Sequence, residues 1–169
     1  DQVLCDGLME SLTSKLSHLR SPTGALWVAA SSEVRSRKVS SAEQAGRLFG
    51  VNLALAGHFQ RDRETVRITL SLVDTKTLQQ LRSREISERP PTLAGFQSKM
   101  VEAIVSMLDI PVATASMQYS FGGNTNVSDA YTFYIQGRGY LYDFQMAENI
   151  DLAIQLFERA LKEDSLNAL

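Results

Sequence analysis

Leu8, Leu12, Leu16 and Leu19 recur at the spacing of three and four that lines one side of a helix over 6–19, and Asp6 stands where an N-cap would. After Pro22 and Gly24 the pattern changes. The stretch GALWVAASSEV, 24–34, opens on a short unbroken apolar run whose length and flanks predict a buried strand. Helical spacing returns in SSAEQAGRLFGV, 40–51, with Ala45, Leu48 and Phe49 as the side to be buried. Ser40 with Glu43, or Ser41 with Gln44, supplies a capping box, in which a hydroxyl and a side-chain carbonyl satisfy orphan backbone N–H groups. Gly50 supplies the stop, because glycine tolerates the left-handed conformation that ends helices.

A period of two follows. Val51, Leu53, Leu55 and Phe59 share one phase, and Val66, Ile68, Leu70 and Leu72 alternate with Arg67, Thr69 and Ser71. The polar RDRE, 61–64, makes the two strands an antiparallel hairpin, and DTKT, 74–77, is a second turn. The third strand, 78–87, is polar enough to be an edge. Pro90 and Pro91 break the chain before a helix over 92–109. Its wide stripe is Leu93, Phe96, Met100, Val101, Ile104, Val105 and Leu108. Residues 110–127 lack a period and carry Gly122, Gly123, Asn124 and Asn126, the signature of a linker. Two helices then close the chain, 128–144 and 148–164, joined as an αα-hairpin. The fold class is therefore α+β: a mixed sheet in the order αβαβββα with one crossover unit, then the hairpin. The domains are 1–109, the linker 110–127, and 128–169.

Composition narrows the functions. Of 169 residues, 44% are hydrophobic, which provides for a core. The net charge of −2 argues against a general nucleic-acid binder, since phosphate contacts need clustered Lys and Arg. No apolar run approaches the roughly 18 residues of a bilayer span. Cys5 is the single cysteine, so no internal disulfide forms, and both the cytoplasm and an extracytoplasmic site stay open. His18 and His58 lack metal-ligand spacing. Gly122-Gly123 follows no strand and precedes no lysine, unlike a phosphate loop. No residue is singled out as catalytic, metal-binding or cofactor-binding, and no cofactor is expected. One charged group does stand out. Neighbouring strands could gather Arg67, Arg82 and Arg84 into a basic patch that attracts an acidic partner or anion. The competing reading is a solvated strand face that discourages edge pairing.

The C-terminal hairpin resembles a tetratricopeptide repeat. Gly137 and Tyr140 fit the small and aromatic positions of its first helix, and Ala153, Phe157 and Ala160 those of its second. Small side chains let two helices approach while a ring fills the gap between turns. EDSLNAL, 163–169, looks like the lead-in to a following repeat, with Ser165 where proline is usual. The first 109 residues are similar to the amino-terminal domain of the TolB type, also found in FlgO-like proteins. DGLMESLTSKLSHL matches that family's first helix, and 41–81 follows its order of helix, strand, charged turn and strand. Leu78 stands where glycine is common, and Arg82 where an aromatic is common. The family has a strand before the first helix, so the resemblance implies a cut N-terminus and an open sheet edge.

The resemblance implies a non-catalytic protein-interaction or regulatory module of a larger bacterial signalling protein, a serine/threonine kinase among the parents in which such domains precede repeats. Catalysis would lie outside this chain. It implies a protein or peptide partner held on the groove-lining helix, at Tyr131, Tyr134, Arg138 and Tyr142, residue types favoured in binding hot spots, the competing reading being that some of them only pack on the linker or the neighbouring domain. Self-pairing through the exposed repeat face or the open sheet edge is a further expectation, because one hairpin cannot bury its own apolar face. The alternative is a domain that senses a small molecule or envelope component in a closed apolar pocket.

Overall fold

The computed structural model describes residues 2–21, 24–61, 65–88, 93–110 and 128–164. They form a mixed α+β chain with six helices, a two-residue strand pair and a three-stranded antiparallel sheet. Two compact units result. One joins Asp1–Leu26 to Pro111–Leu169, and the other is Trp27–Ile110.

The first unit is helical. Helix α1 (Gln2–Ser17) buries Leu4, Leu8, Leu12 and Leu16, with Leu19 buried just beyond its end. Asp6 is not its cap: the helix starts at least a turn earlier, and the Asp6 carboxylate accepts from the Gln2 side-chain amide at 2.9 Å. Strands β1 (Arg20–Ser21) and β2 (Gly24–Ala25) pair antiparallel after it.

Leu26 to Ala30 lie outside any strand, and the second unit, which begins at Trp27, continues into α2 (Ser31–Ser36). This corrects the strand expected over 24–34, and with it the crossover unit and the αβαβββα order. An apolar run becomes a buried strand only when neighbours complete its ladder on both sides. Among the described residues only β1 pairs with any part of this run, and Trp27 is left 63% exposed. Helix α3 (Ala42–Phe49) matches its punctuation. The Ser41 hydroxyl accepts the Gln44 N–H at 3.2 Å, the Gln44 side-chain carbonyl accepts the Ser40 N–H at 2.9 Å, and Gly50 caps the end at φ 68°. The expected buried side is not buried: Ala45 and Phe49 are half-covered and Leu48 is exposed. Gly46 explains the one close approach, since a methyl there would meet Thr75 Cβ at 2.8 Å.

Strands β3 (Leu53–Arg61), β4 (Val66–Asp74) and β5 (Gln80–Glu88) lie in that order, each pair antiparallel. The sheet is thus antiparallel throughout its described strands, where a mixed sheet was expected. The β4 alternation holds: Val66, Ile68, Leu70 and Leu72 are buried, facing the same side as Ile86 of β5. In the turn 74–77 the Asp74 carboxylate accepts the N–H groups of Lys76 and Thr77 at 2.8 and 2.7 Å, and those bonds, Thr77's first, hold its pKa below the usual carboxylate range. Leu78 completes the turn at φ 60°, the left-handed region that favours glycine. Helix α4 (Leu93–Met107) packs on β5 and buries Phe96, Met100, Val101, Ile104, Val105 and Met107. The polar turn at 62–64, the linker at 111–127 and the tail 165–169 lie outside the described residues.

Candidate interaction surfaces

Helices α5 (Ser128–Leu141) and α6 (Ala147–Glu163) form an αα-hairpin. Its crossing works as small residues permit. Ala153 is fully buried, and the Phe157 ring lies so close over Gly137 that a methyl there would sit 2.5 Å from it. The same ring meets Tyr134 at a centroid distance of 6.1 Å. In the turn, the Asn149 side-chain amide donates to the Asp143 carbonyl at 2.9 Å.

The opposite side of α5 is occupied by α1. A methyl at Gly7 would collide with the Ile135 carbonyl oxygen, and one at Gly139 with the Val3 carbonyl oxygen, so the two backbones touch at those points. Around this contact stand three of the four residues expected to hold a partner. Tyr131 is 5% exposed, and its hydroxyl bonds to the Ser11 side chain; burial drives its acidity strongly down. Arg138 donates to Glu10 at 3.3 Å and to the Tyr134 hydroxyl at 3.3 Å, with its guanidinium 5.8 Å from the Tyr134 ring. Tyr142 lies beyond the end of α5, half-buried, its backbone N–H bonded to Gly139 at 3.2 Å. The lysine on the α1 side, Lys15, is half-buried; burial first and the Arg138 charge second bring its pKa down to about 8.

The face of α5 that carries Tyr131, Tyr134 and Arg138 is thus filled by α1 of the same chain. Gly7, Glu10, Ser11 and Gly139 complete the site. Glycine within a helical pattern was the available signal for the two backbone contacts, since it costs helix stability and is retained where backbones approach.

A different surface is open. Ile150, Ile154 and Leu161 form a stripe along α6, with Ile154 49% exposed, and Phe144 and Met146 are exposed in the turn before it. Three- and four-residue steps bring these side chains to one side of the helix, next to Phe157.

The arginines separate. Register sets Arg67 opposite Ser87, on the other face of the sheet from Arg82 and Arg84, which oppose Leu72 and Leu70. Directly opposed residues share a face, and in this register they have the same parity, so odd-numbered Arg67 lies on one face and even-numbered Arg82 and Arg84 on the other. Arg67 pairs with Glu85 at 3.5 Å. Arg82 donates to the carbonyls of Ser106 and Met107 at 3.1 and 2.8 Å and pairs with Asp109, closing the C-terminal end of α4. A guanidinium there satisfies orphan carbonyls and complements the helix dipole. Arg82 and Arg84 also line a shallow cavity of about 320 Å³ with Ser83, Ser106, Met107 and Asp109.

The remaining candidates have local roles. The His18 ring nitrogen Nδ1 bonds to the Ser14 carbonyl at 2.7 Å, and His58 takes a 3.3 Å contact from Gln60. The Cys5 thiol is half-buried, and burial, then Asp6, pushes its pKa up, away from thiolate reactivity. Among the described residues no group of three or more His, Cys, Asp or Glu is placed to hold a metal, and no helix is long and apolar enough to cross a membrane.

No protein-family model matches the chain, and no curated protein matches it. Among solved structures, the crystal structure of lipoprotein GNA1162 from Neisseria meningitidis is similar at 19% identity and a TM-score of 0.39. The match covers 64% of this chain and 89% of that one.

Proposed function

We propose that this chain is a non-catalytic protein-interaction and regulatory module of a larger bacterial signalling protein. In this reading α5 and α6 are the first tetratricopeptide repeat of an array, and the remainder is a TolB-N-like domain. A serine/threonine kinase is the parent that best suits it. The carrying observation is the stripe of Ile150, Ile154 and Leu161, exposed apolar surface that borders the side of the helix packed against α5 through Ala153 and Phe157. Such surface is stabilising only when something covers it. The glycine and alanine positions at the α5–α6 crossing support the repeat assignment, because that family needs small residues there.

The partner surface in this reading is α6, since the inward side of α5 already receives α1. Hydrogen exchange tests it. Amides over 150–161 are compared between this chain alone and the full-length gene product. Stronger protection in the full-length protein, removed by Ile154→Glu, supports the module. Equal exchange in the two would refute it. The ligand-sensing alternative draws less support: the cavity beside α4 is open and polar, and Arg82 is engaged with Asp109 and two helix carbonyls.

A further inference from the structure

The two edges of the three-stranded sheet are built differently. On β5, the register to β4 shifts between Leu72 and Val73, and Arg82, Arg84, Glu85 and Glu88 project from the strand. A bulge and charges of this kind are how proteins keep an edge from pairing with another chain. On β3 the ladder to β4 runs unbroken over nine residue pairs, and Leu53 to Gln60 contains no proline, lysine or acid.

Which backbone groups of β3 face outward follows from the ladder. Thr75 donates its N–H to the Asn52 carbonyl at 3.0 Å, so Asn52 is in a hydrogen-bonded pair with β4. Such pairs alternate along an antiparallel ladder. Ala54, Ala56, His58 and Gln60 therefore spend their peptide groups on β4. Leu53, Leu55, Gly57 and Phe59 direct theirs to the free edge, where no described strand pairs with them. Leu53 and Leu55 are 39% and 38% exposed on the same face as the buried row of β4.

We infer that β3 is a pairing edge for a second copy of this chain, the two β3 strands running antiparallel about a two-fold axis at Gly57. Gly57 is the midpoint of Leu53–Arg61, so this register uses all nine residues. It sets Leu55 opposite Phe59 of the second copy, twice by symmetry, and Gly57 opposite Gly57. Leu–Phe cross-strand pairs are stabilising, and no like charges stand opposite one another. The product is a six-stranded antiparallel sheet, with the exposed leucines of β3 flanked on both sides. The inference concerns β3 alone and does not depend on the role proposed for α6.

Light scattering across protein concentration, with single-cysteine cross-linking, tests it. The chain shows a concentration-dependent dimer. Gly57→Pro removes an outward N–H that β4 does not use, so it weakens the dimer by at least about tenfold with an unchanged far-ultraviolet spectrum. In a Cys5→Ser background, Gly57→Cys cross-links to itself under mild oxidation, directly opposed residues being within disulfide reach. Leu55→Cys cross-links when mixed with Phe59→Cys, and not alone. A chain that stays monomeric at every concentration overturns the inference. So does a dimer that a folded Gly57→Pro variant preserves, or a cross-link that forms equally in every pairing. Should Gly57→Pro fail to fold, the cysteine pairs decide by themselves.

Discussion

Leu78 is a residue in the wrong conformation for its type. Its φ of 60° costs a β-carbon-bearing residue about 1–2 kcal/mol, and its side chain is mostly exposed, so little packing offsets that. Glycine removes the strain but adds freedom to the unfolded chain worth roughly 0.5–1 kcal/mol. The net favours Leu78→Gly, which should raise stability by about 0.5–1 kcal/mol in urea titration. Lys15 gives a second prediction at this scale. Its folded pKa is about 8 against 10.5 unfolded, so below pH 8 both states are protonated and its charge is held at a cost. Between about 8 and 10.5 the unfolded state binds more protons, and this group's contribution to stability rises with pH. Cys5 and Tyr131 have raised folded values and act in the opposite direction as pH passes 9.0 and 10.0, their unfolded values. Comparison with Lys15→Met isolates the lysine. The advantage of Lys15→Met in thermal melts should shrink from pH 7 to pH 10, and a constant difference would contradict the assignment.

At the scale of elements, the contact of α1 with α5 turns on two glycines. Alanine would favour each helix by about 1 kcal/mol in propensity. It also forces a methyl into a facing carbonyl, an overpacking cost of about 1–3 kcal/mol or more where backbone must move. Gly7→Ala and Gly139→Ala should therefore each destabilise, read by thermal unfolding. The double variant should cost less than the sum, because the first substitution already parts the helices. Elements with their own repeating signal were legible in the sequence. The two-residue alternation gave β4, the wide stripe gave α4, and Ser41 with Gly50 bounded α3. The two C-terminal helices were legible too, while the seat of Phe157 over Gly137 is a contact that only the structure names. What failed were properties that partners confer. Residues 24–34 are apolar enough for a strand but lack a complete ladder, and Leu48 lacks a cover. Arg67 and Arg82 look alike in one dimension and part company through strand parity.

Across the whole molecule, α1 belongs to the same compact unit as α5 and α6. The sequence reading grouped it with 1–109, because its leucine stripe says that it is buried without saying against what. Removing residues 1–21 should then strip the cover from Tyr131, Ile135 and the inner side of α5. Helical circular dichroism from α5 and α6 should fall, and amides of 128–164 should exchange faster, while those of β4 change little. A chain so shortened whose hairpin kept its protection would contradict the grouping.

Arg138 and Glu10, which meet across this contact, are 128 positions apart. On a ribosome moving at about 5–20 residues per second, the leucine row of α1 emerges roughly 6–26 seconds before its receiving helix exists. During that interval the nascent chain carries a bare hydrophobic segment. Chaperone occupancy early in synthesis, rather than speed of final docking, would then set the yield of folded product.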